Sequence, residues 1–351
     1  MKSGTRSRKN ATDALDRWQP TPLTALGQSD IPTELHFVRD HFPVPALDPE
    51  AWSMTLTGSE QSLALDLALL QRLPPRTLSV VLECAGHRRT ELEPTPPGVP
   101  WGTGAVTEAK WTGASLASLL ELVGIPSDAQ EVVLEGADGG AVKGFDGHHS
   151  FARSLPLAKA LHPDVLLAYG TNGDPIPVAR GGPVRAIVPG WYATDSVKWL
   201  ERVWFVSSEF GGVFQAHDYR LRALGDPGPG ERMTELPVHA LITAPADGVV
   251  VEAGGELSVR GTAWGGTDGI ASVLMRIDGG PWMPARLASP RGAYGRLAWT
   301  ASCSLAPGSH EIACRAIDRA GNWQPDSPPA NVGGYANNAI HRVRVQAVQI
   351  V

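Results

Sequence analysis

GDPGPGERMTELP, residues 225–237, decides how the chain divides. Its glycines and prolines punctuate periodic structure, and the texture of the sequence differs on either side. Downstream, LSVRGTAW (257–264), VLMRIDGGPW (273–282), HEIACRAIDRAGN (310–322) and HRVRVQAV (341–348) alternate apolar and polar residues or nearly so, as strands with one buried face do. Asp278-Gly279-Gly280 and Pro307-Gly308 read as hairpin-type turns between such strands. Repeated short strands over residues 236–351 predict an immunoglobulin-like β-sandwich that lacks the Cys…Trp…Cys spacing of an antibody domain.

Upstream, residues 31–235 mix helical and strand signals, which predicts an α+β, mixed α/β domain. Leu116, Leu119, Leu120 and Val123 recur at helical spacing and stop at Gly124, a C-terminal cap. Residues 77–82 and 184–188 are short apolar, β-branched runs bounded by Pro and Gly, and read as buried strands. Two domains suit a chain of 351 residues. Residues 1–30 open basic and polar with no apolar leader core, and read as a flexible tail of a cytoplasmic protein.

No apolar run approaches the roughly 18 residues a bilayer span needs, so a membrane protein is not expected. With 36 acidic against 30 Lys and Arg residues the net charge is −6, and the broad basic footprint of a nucleic-acid binder is missing. Cys303 and Cys314, counted outward from Gly308-Ser309, fall opposite each other on a hairpin and read as reduced core cysteines.

The third cysteine sits in VLECAGHRRTELEP (81–94). A strand ending near Leu82, broken at Ala85-Gly86, leaves Cys84 where strand runs into loop, a common place for active sites in open sheets. His87, Arg88 and Arg89 favour the thiolate, the form that attacks or binds metal, and Gly86 lets backbone approach a ligand. No second cysteine or regular histidine spacing completes a four-ligand zinc site. A small buried side chain, a nucleophile, and a ligand to a metal held mainly by its own cofactor all remain open. No G-x-S-x-G elbow, P-loop, strand-linked G-x-G-x-x-G or C-x-x-C-H haem site occurs.

HFVRDHFPVP (36–45), WGTGAVTEAKW (101–111), DVLLAYGTNGDPIP (164–177), GGPVRAIVPGWYATDSVKWLERV (181–203), QAHDYR (215–220) and NNAIHRVRV (337–345) follow in order. Together with ECAGHRR they resemble the sulfite oxidase family of molybdenum enzymes. The resemblance implies a molybdenum held by the two sulfurs of one pyranopterin dithiolene (molybdopterin), with Cys84 as the protein thiolate, a soft ligand for a metal already bound by soft sulfur. It implies an anion pocket lined by Arg39 and Arg89, walled by Trp101 and Tyr219, with Asp218 beside the tyrosine. His41, Arg180, Arg185, Ser196 and Lys198 match positions that hold the cofactor.

The implied reaction is oxidation of sulfite to sulfate, with electrons passed to an external acceptor such as a cytochrome. No haem domain is recognisable in the sequence, and the β-sandwich half implies a homodimer. Many relatives carry an arginine where this chain has Gly333, which motivates an alternative, reduction of nitrate or of an S-oxide or N-oxide; a non-catalytic binding module is a third reading. His87 stands where asparagine is common, as a titrating group near the site or a solvent-facing residue.

Overall fold

The computed structural model describes residues 17–328 and 330–349. Two five-stranded sheets build the first half. In one, Arg76–Glu83, Val106–Ser115, Leu166–Thr171 and Asp174–Pro175 lie side by side, with Arg185–Ile187 also on Leu166–Thr171, all antiparallel. In the other the order is Ser62–Asp66, Ser53–Thr57, Leu200–Val206, Glu131–Val142 and Phe145–Pro156, with Ser53–Thr57 parallel to Leu200–Val206.

Alternation makes these strands two-faced. In Ser53–Thr57 only Met54 and Leu56 are buried, as a side-chain period of two requires. They join Leu167, Ala186, Val132 and Leu134 in a core between the sheets. The helix Leu116–Val123 contributes Leu116, Leu119, Leu120 and Val123 to it and ends at Gly124 with φ 79°, so the predicted helix and its cap are both present. Each buried leucine contributes ~1.5–3 kcal/mol by removal from water.

The second half is a sandwich. Its first sheet runs His239–Ala244, Leu257–Trp264, Leu297–Cys303, Arg286–Leu287; its second runs Val249–Glu252, His341–Val348, Gly308–Asp318, Ile270–Ile277, Met283–Pro284. Ile242, Val259, Trp299, Val273, Ile312 and Val343 interdigitate between them, as in aligned sheet packing. The turn after Ile277 leads back antiparallel into Met283–Pro284 as expected, with Asp278 at φ 50° and Gly279 at φ 70°.

Two expectations need correction. Cys303 faces Leu257 in the first sheet, whereas Cys314 faces Met275 and His341 in the second. Pro307-Gly308 is therefore a crossover between layers and not a hairpin; all three cysteines are free. Residues 17–30 are not tail: Arg17–Gln19 pairs with Val38–Asp40, and the short helix Leu23–Leu26 buries Ala25 and Leu26. Residues 1–16 lie outside the described residues.

The halves meet around the loop after Glu83. Ala336 N–H donates to Ala85 O at 3.0 Å, Asn337 Nδ2 to Arg88 O at 2.9 Å, and the Arg88 guanidinium donates to the carbonyls of Ala339 and Ile340. The sandwich thus clamps the segment that carries Cys84. Among the described residues no helix is long and apolar enough to cross a membrane.

Candidate active site

Cys84 follows the last residue of the strand Arg76–Glu83 and stays in register by donating its N–H to Ala105 O at 2.9 Å. The chain then turns, His87 N–H returning to Cys84 O at 2.9 Å and Arg88 adopting φ 59°. This puts the thiol at the wall of a cavity of about 820 Å³ including its open mouth. Burial pushes the thiol pKa up, against the opposing pull of a backbone hydrogen bond from Gly86 and the charges of Arg39 and Arg89. A bound cation would reverse that balance, since a coordinating thiol is deprotonated outright.

Cations ring the cavity. Arg180, Arg185 and Lys198 line it, together with Arg39, His41, Ser196 and Tyr219. Arg185 is buried over the face of Trp111, 5.2 Å from the ring centre, and burial draws its pKa down to about 10. It donates to the carbonyls of Arg180 and Ser196, each at 2.9 Å, and its Nε has no protein partner. Lys198 pairs with the buried Asp40 and donates to Arg39 O at 3.1 Å; burial lowers its pKa to about 8. Arg180 donates to His36 O at 2.8 Å and to Glu34 O. Ser196 is no surface residue: it is 1% exposed, and its hydroxyl accepts from Val188 N–H at 3.0 Å.

The cavity wall also holds buried oxygens without protein partners, Thr107 Oγ1, Thr194 Oγ1 and Asp138 Oδ1. Burial raises the Asp138 carboxyl to about 7. Orphaned buried polar groups are costly, so a wall carrying several, beside cations and a thiol, fits a large polar anionic ligand with a soft metal. Cationic side chains suited to a phosphate and a thiol suited to molybdenum are both present.

Arg39, His41 and Tyr219 form a chain. Arg39 Nη2 lies 3.3 Å from His41 Nδ1, and His41 Nε2 lies 2.5 Å from Tyr219 Oη. A guanidinium can only donate, so Nδ1 is the acceptor and Nε2 carries the hydrogen. Burial holds His41 well below its ordinary pKa, so the ring is neutral and Nε2–H donates to the phenol oxygen. The hydroxyl proton of Tyr219 is thereby left for a ligand in the cavity, and burial keeps its pKa well above the usual range. Tyr219 has φ 54° and stacks on Tyr335, centroids 5.6 Å apart.

Arg89, Trp101 and Asp218 stand differently from the others, for none of them lines this cavity. Arg89 is 6% exposed and donates to Val99 O at 2.8 Å and to Gly333 O at 3.0 and 3.2 Å, with its guanidinium carbon 5.4 Å from the Tyr335 ring centre. The backbone at Gly86 passes so close to this guanidinium that a Cβ there would sit 2.6 Å from it, and Arg89 would have to move to admit one. Trp101 packs beside Cys84, Val99 and Ala105, edge-on to Phe37 and Trp18. Burial raises the pKa of Asp218, against the pull of Arg39. His87 is not solvent-facing: it is 1% exposed, against His239 and Trp264.

Sequence reading missed His36, Asp138, Thr107, Thr194 and Tyr335. Asp138 left one signal, an acidic residue among glycines at the end of an apolar run, EVVLEGADGG.

A strand-end thiol facing a cationic cavity, with a sandwich clamped behind it, is an architecture suited to a cofactor that carries a soft metal. Residues 41–214 match the oxidoreductase molybdopterin binding domain and residues 231–348 the Mo-co oxidoreductase dimerisation domain. The chain is 37% identical to sulfite oxidase of Gallus gallus, covering 89% of this chain and 72% of that protein. It is 36% identical to mitochondrial sulfite oxidase of Mus musculus, covering 94% of this chain but 64% of that protein, so it spans less than two thirds of the mouse relative. The crystal structure of the sulfane dehydrogenase SoxCD from Paracoccus pantotrophus shares the fold, with TM-score 0.82 at 22% identity over 100% of this chain and 96% of that one. The chain belongs to the sulfite oxidase family of molybdopterin oxidoreductases.

Proposed function

We propose that the chain oxidises sulfite to sulfate at a molybdenum pyranopterin bound in the cavity beside Cys84. The observation that carries this is the Cys84 thiol facing a cavity whose Arg185 Nε, Thr107 and Thr194 hydroxyls and Asp138 carboxyl lack protein partners. The group, when bound, supplies the site of oxygen-atom exchange and a store for two electrons. Cys84 holds it as a thiolate; Arg180, Arg185 and Lys198 neutralise its phosphate; Ser196 orders the backbone beside them. Arg39 draws the sulfite dianion, and Tyr219, oriented by His41, donates its hydroxyl proton to an oxygen of substrate or product. Arg89 contributes positive potential from behind Cys84, and Trp101 closes that side against water. Asp218 adjoins Tyr219 and balances the charge of Arg39.

Conversion of sulfite to sulfate takes one oxygen from water and releases two protons and two electrons, so an external electron acceptor such as a cytochrome is part of the proposal. A homodimer through the sandwich half is supported by the match to a dimerisation domain.

The test is anaerobic addition of sulfite to purified holoprotein while its thiolate-to-molybdenum absorption band is followed. Bleaching, with one sulfate formed per two electrons, is expected; an unchanged band rejects sulfite as reductant. A second reading, reduction of nitrate or an S-oxide or N-oxide, is favoured by Gly333, because the site has one fewer cation than the family resemblance implies. Turnover of those acceptors with reduced dye, without sulfite oxidation, would select it.

A further inference from the structure

Beside Cys84 in the sequence, and outside the lining of the cavity, Glu83 and His87 converge with His239. Their ligand atoms all lie within 4.8 Å of one another. All three are almost completely buried, at 1%, 1% and 0% exposure. Neither ring nitrogen of His87 has a hydrogen-bond partner, and His239 has only Glu83 Oε1 within reach of Nε2, with Nδ1 unpartnered. A buried histidine with neither nitrogen partnered is uncommon in a folded interior; beside a second imidazole and a carboxylate it calls for a shared ligand.

The rings are already fixed. His239 stacks on Trp264, centroids 5.1 Å apart and 8° from parallel, and His87 stands edge-on to both. Glu83 Oε2 accepts from Trp264 Nε1 at 2.6 Å, and Oε1 lies 3.1 Å from His239 Nε2. A tryptophan N–H holding one oxygen of a carboxylate while the other faces two imidazoles is the outer-shell support that ligand carboxylates receive in metal sites.

We infer that Glu83, His87 and His239 bind a divalent zinc-class ion that staples the catalytic half to the sandwich half, a site separate from molybdenum. Two imidazoles and one carboxylate are a donor set zinc accepts, and Glu83 offsets half of its charge. Ligands about 2.0–2.1 Å from zinc lie roughly 3.3 Å apart in a tetrahedron, so binding draws the three donors together by small side-chain rotations. Glu83 and His87 come from the segment carrying Cys84, and His239 begins the first sandwich strand. The ion would thus fix the strand end on which the molybdenum ligand sits. This inference does not depend on the substrate proposed above.

The test is metal analysis of holoprotein expressed in zinc-replete medium, counting zinc and molybdenum separately. About one zinc per chain is expected after gel filtration, lost in His87→Asn and in His239→Gln while circular dichroism stays unchanged. X-ray absorption at the zinc edge should show two imidazole nitrogens and carboxylate oxygen at about 2.0–2.1 Å. Chelation should lower the melting temperature of wild type and leave both variants unmoved. If wild type holds no zinc and takes up none when Zn²⁺ is titrated in, or if both variants retain it, the inference is overturned and buried water is the partner of these rings.

Discussion

On one side of Cys84, Arg88 and Arg89 donate to the carbonyl oxygens of Ala339, Ile340, Val99 and Gly333. On the other, Arg185 keeps an unpartnered Nε beside unpartnered oxygens of Thr107, Thr194 and Asp138. Both sets are buried, yet the first is saturated by protein and the second is not. The difference separates arginines that build the site from those positioned to take a ligand. Adjacency to the cysteine in sequence does not make the distinction, since Arg88 and Arg89 beside it are paired within the protein and the arginine with a free donor, Arg185, comes about a hundred residues further on.

The comparison breaks most readily at its saturated side. Arg88→Ala should destabilise the protein by ~3–5 kcal/mol in urea titration, because it strands the carbonyls of Ala339 and Ile340 at the seam. Arg185→Ala should cost under about 2 kcal/mol in cofactor-free protein, while reducing molybdenum retained through purification more than tenfold. Equal effects of the two changes on stability would erase the distinction.

Asp138→Asn sharpens the unsaturated side. The native carboxyl, raised to about 7, binds a proton that the unfolded chain releases near its ordinary value. Wild-type stability in cofactor-free protein therefore falls as pH rises through that window. The asparagine variant should gain on wild type progressively from pH 4 to 7, by on the order of 4 kcal/mol, and hold that gain above. A pH-independent difference between the two would show that Asp138 ionises normally. Ser196→Ala, which removes one acceptor for Val188 N–H, should cost about 1 kcal/mol, the smallest change of the series.

How much of this could be read from the sequence follows the range of the contacts. The helix Leu116–Val123, its glycine cap and the strand running into Cys84 are set by spacing within about ten residues, and they stand where the sequence puts them. The sandwich after residue 237 is legible because alternation is local too. The partners of Arg89 are not: Gly333 lies 244 positions away. Nor is the burial of His87, which rests on His239 and Trp264 in the other half. Cys303 and Cys314 misled because symmetric spacing about Pro-Gly fits a hairpin and a sheet crossover equally, and only packing chooses between them.

Cys84, we propose, is the protein ligand to molybdenum in this cavity. Molybdenum-edge X-ray absorption on wild type and Cys84→Ser tests it directly. We expect three sulfur scatterers in wild type, two from one dithiolene and one from the protein, and two in the variant, with folding and molybdenum content retained. The same sulfur count in both proteins would contradict it.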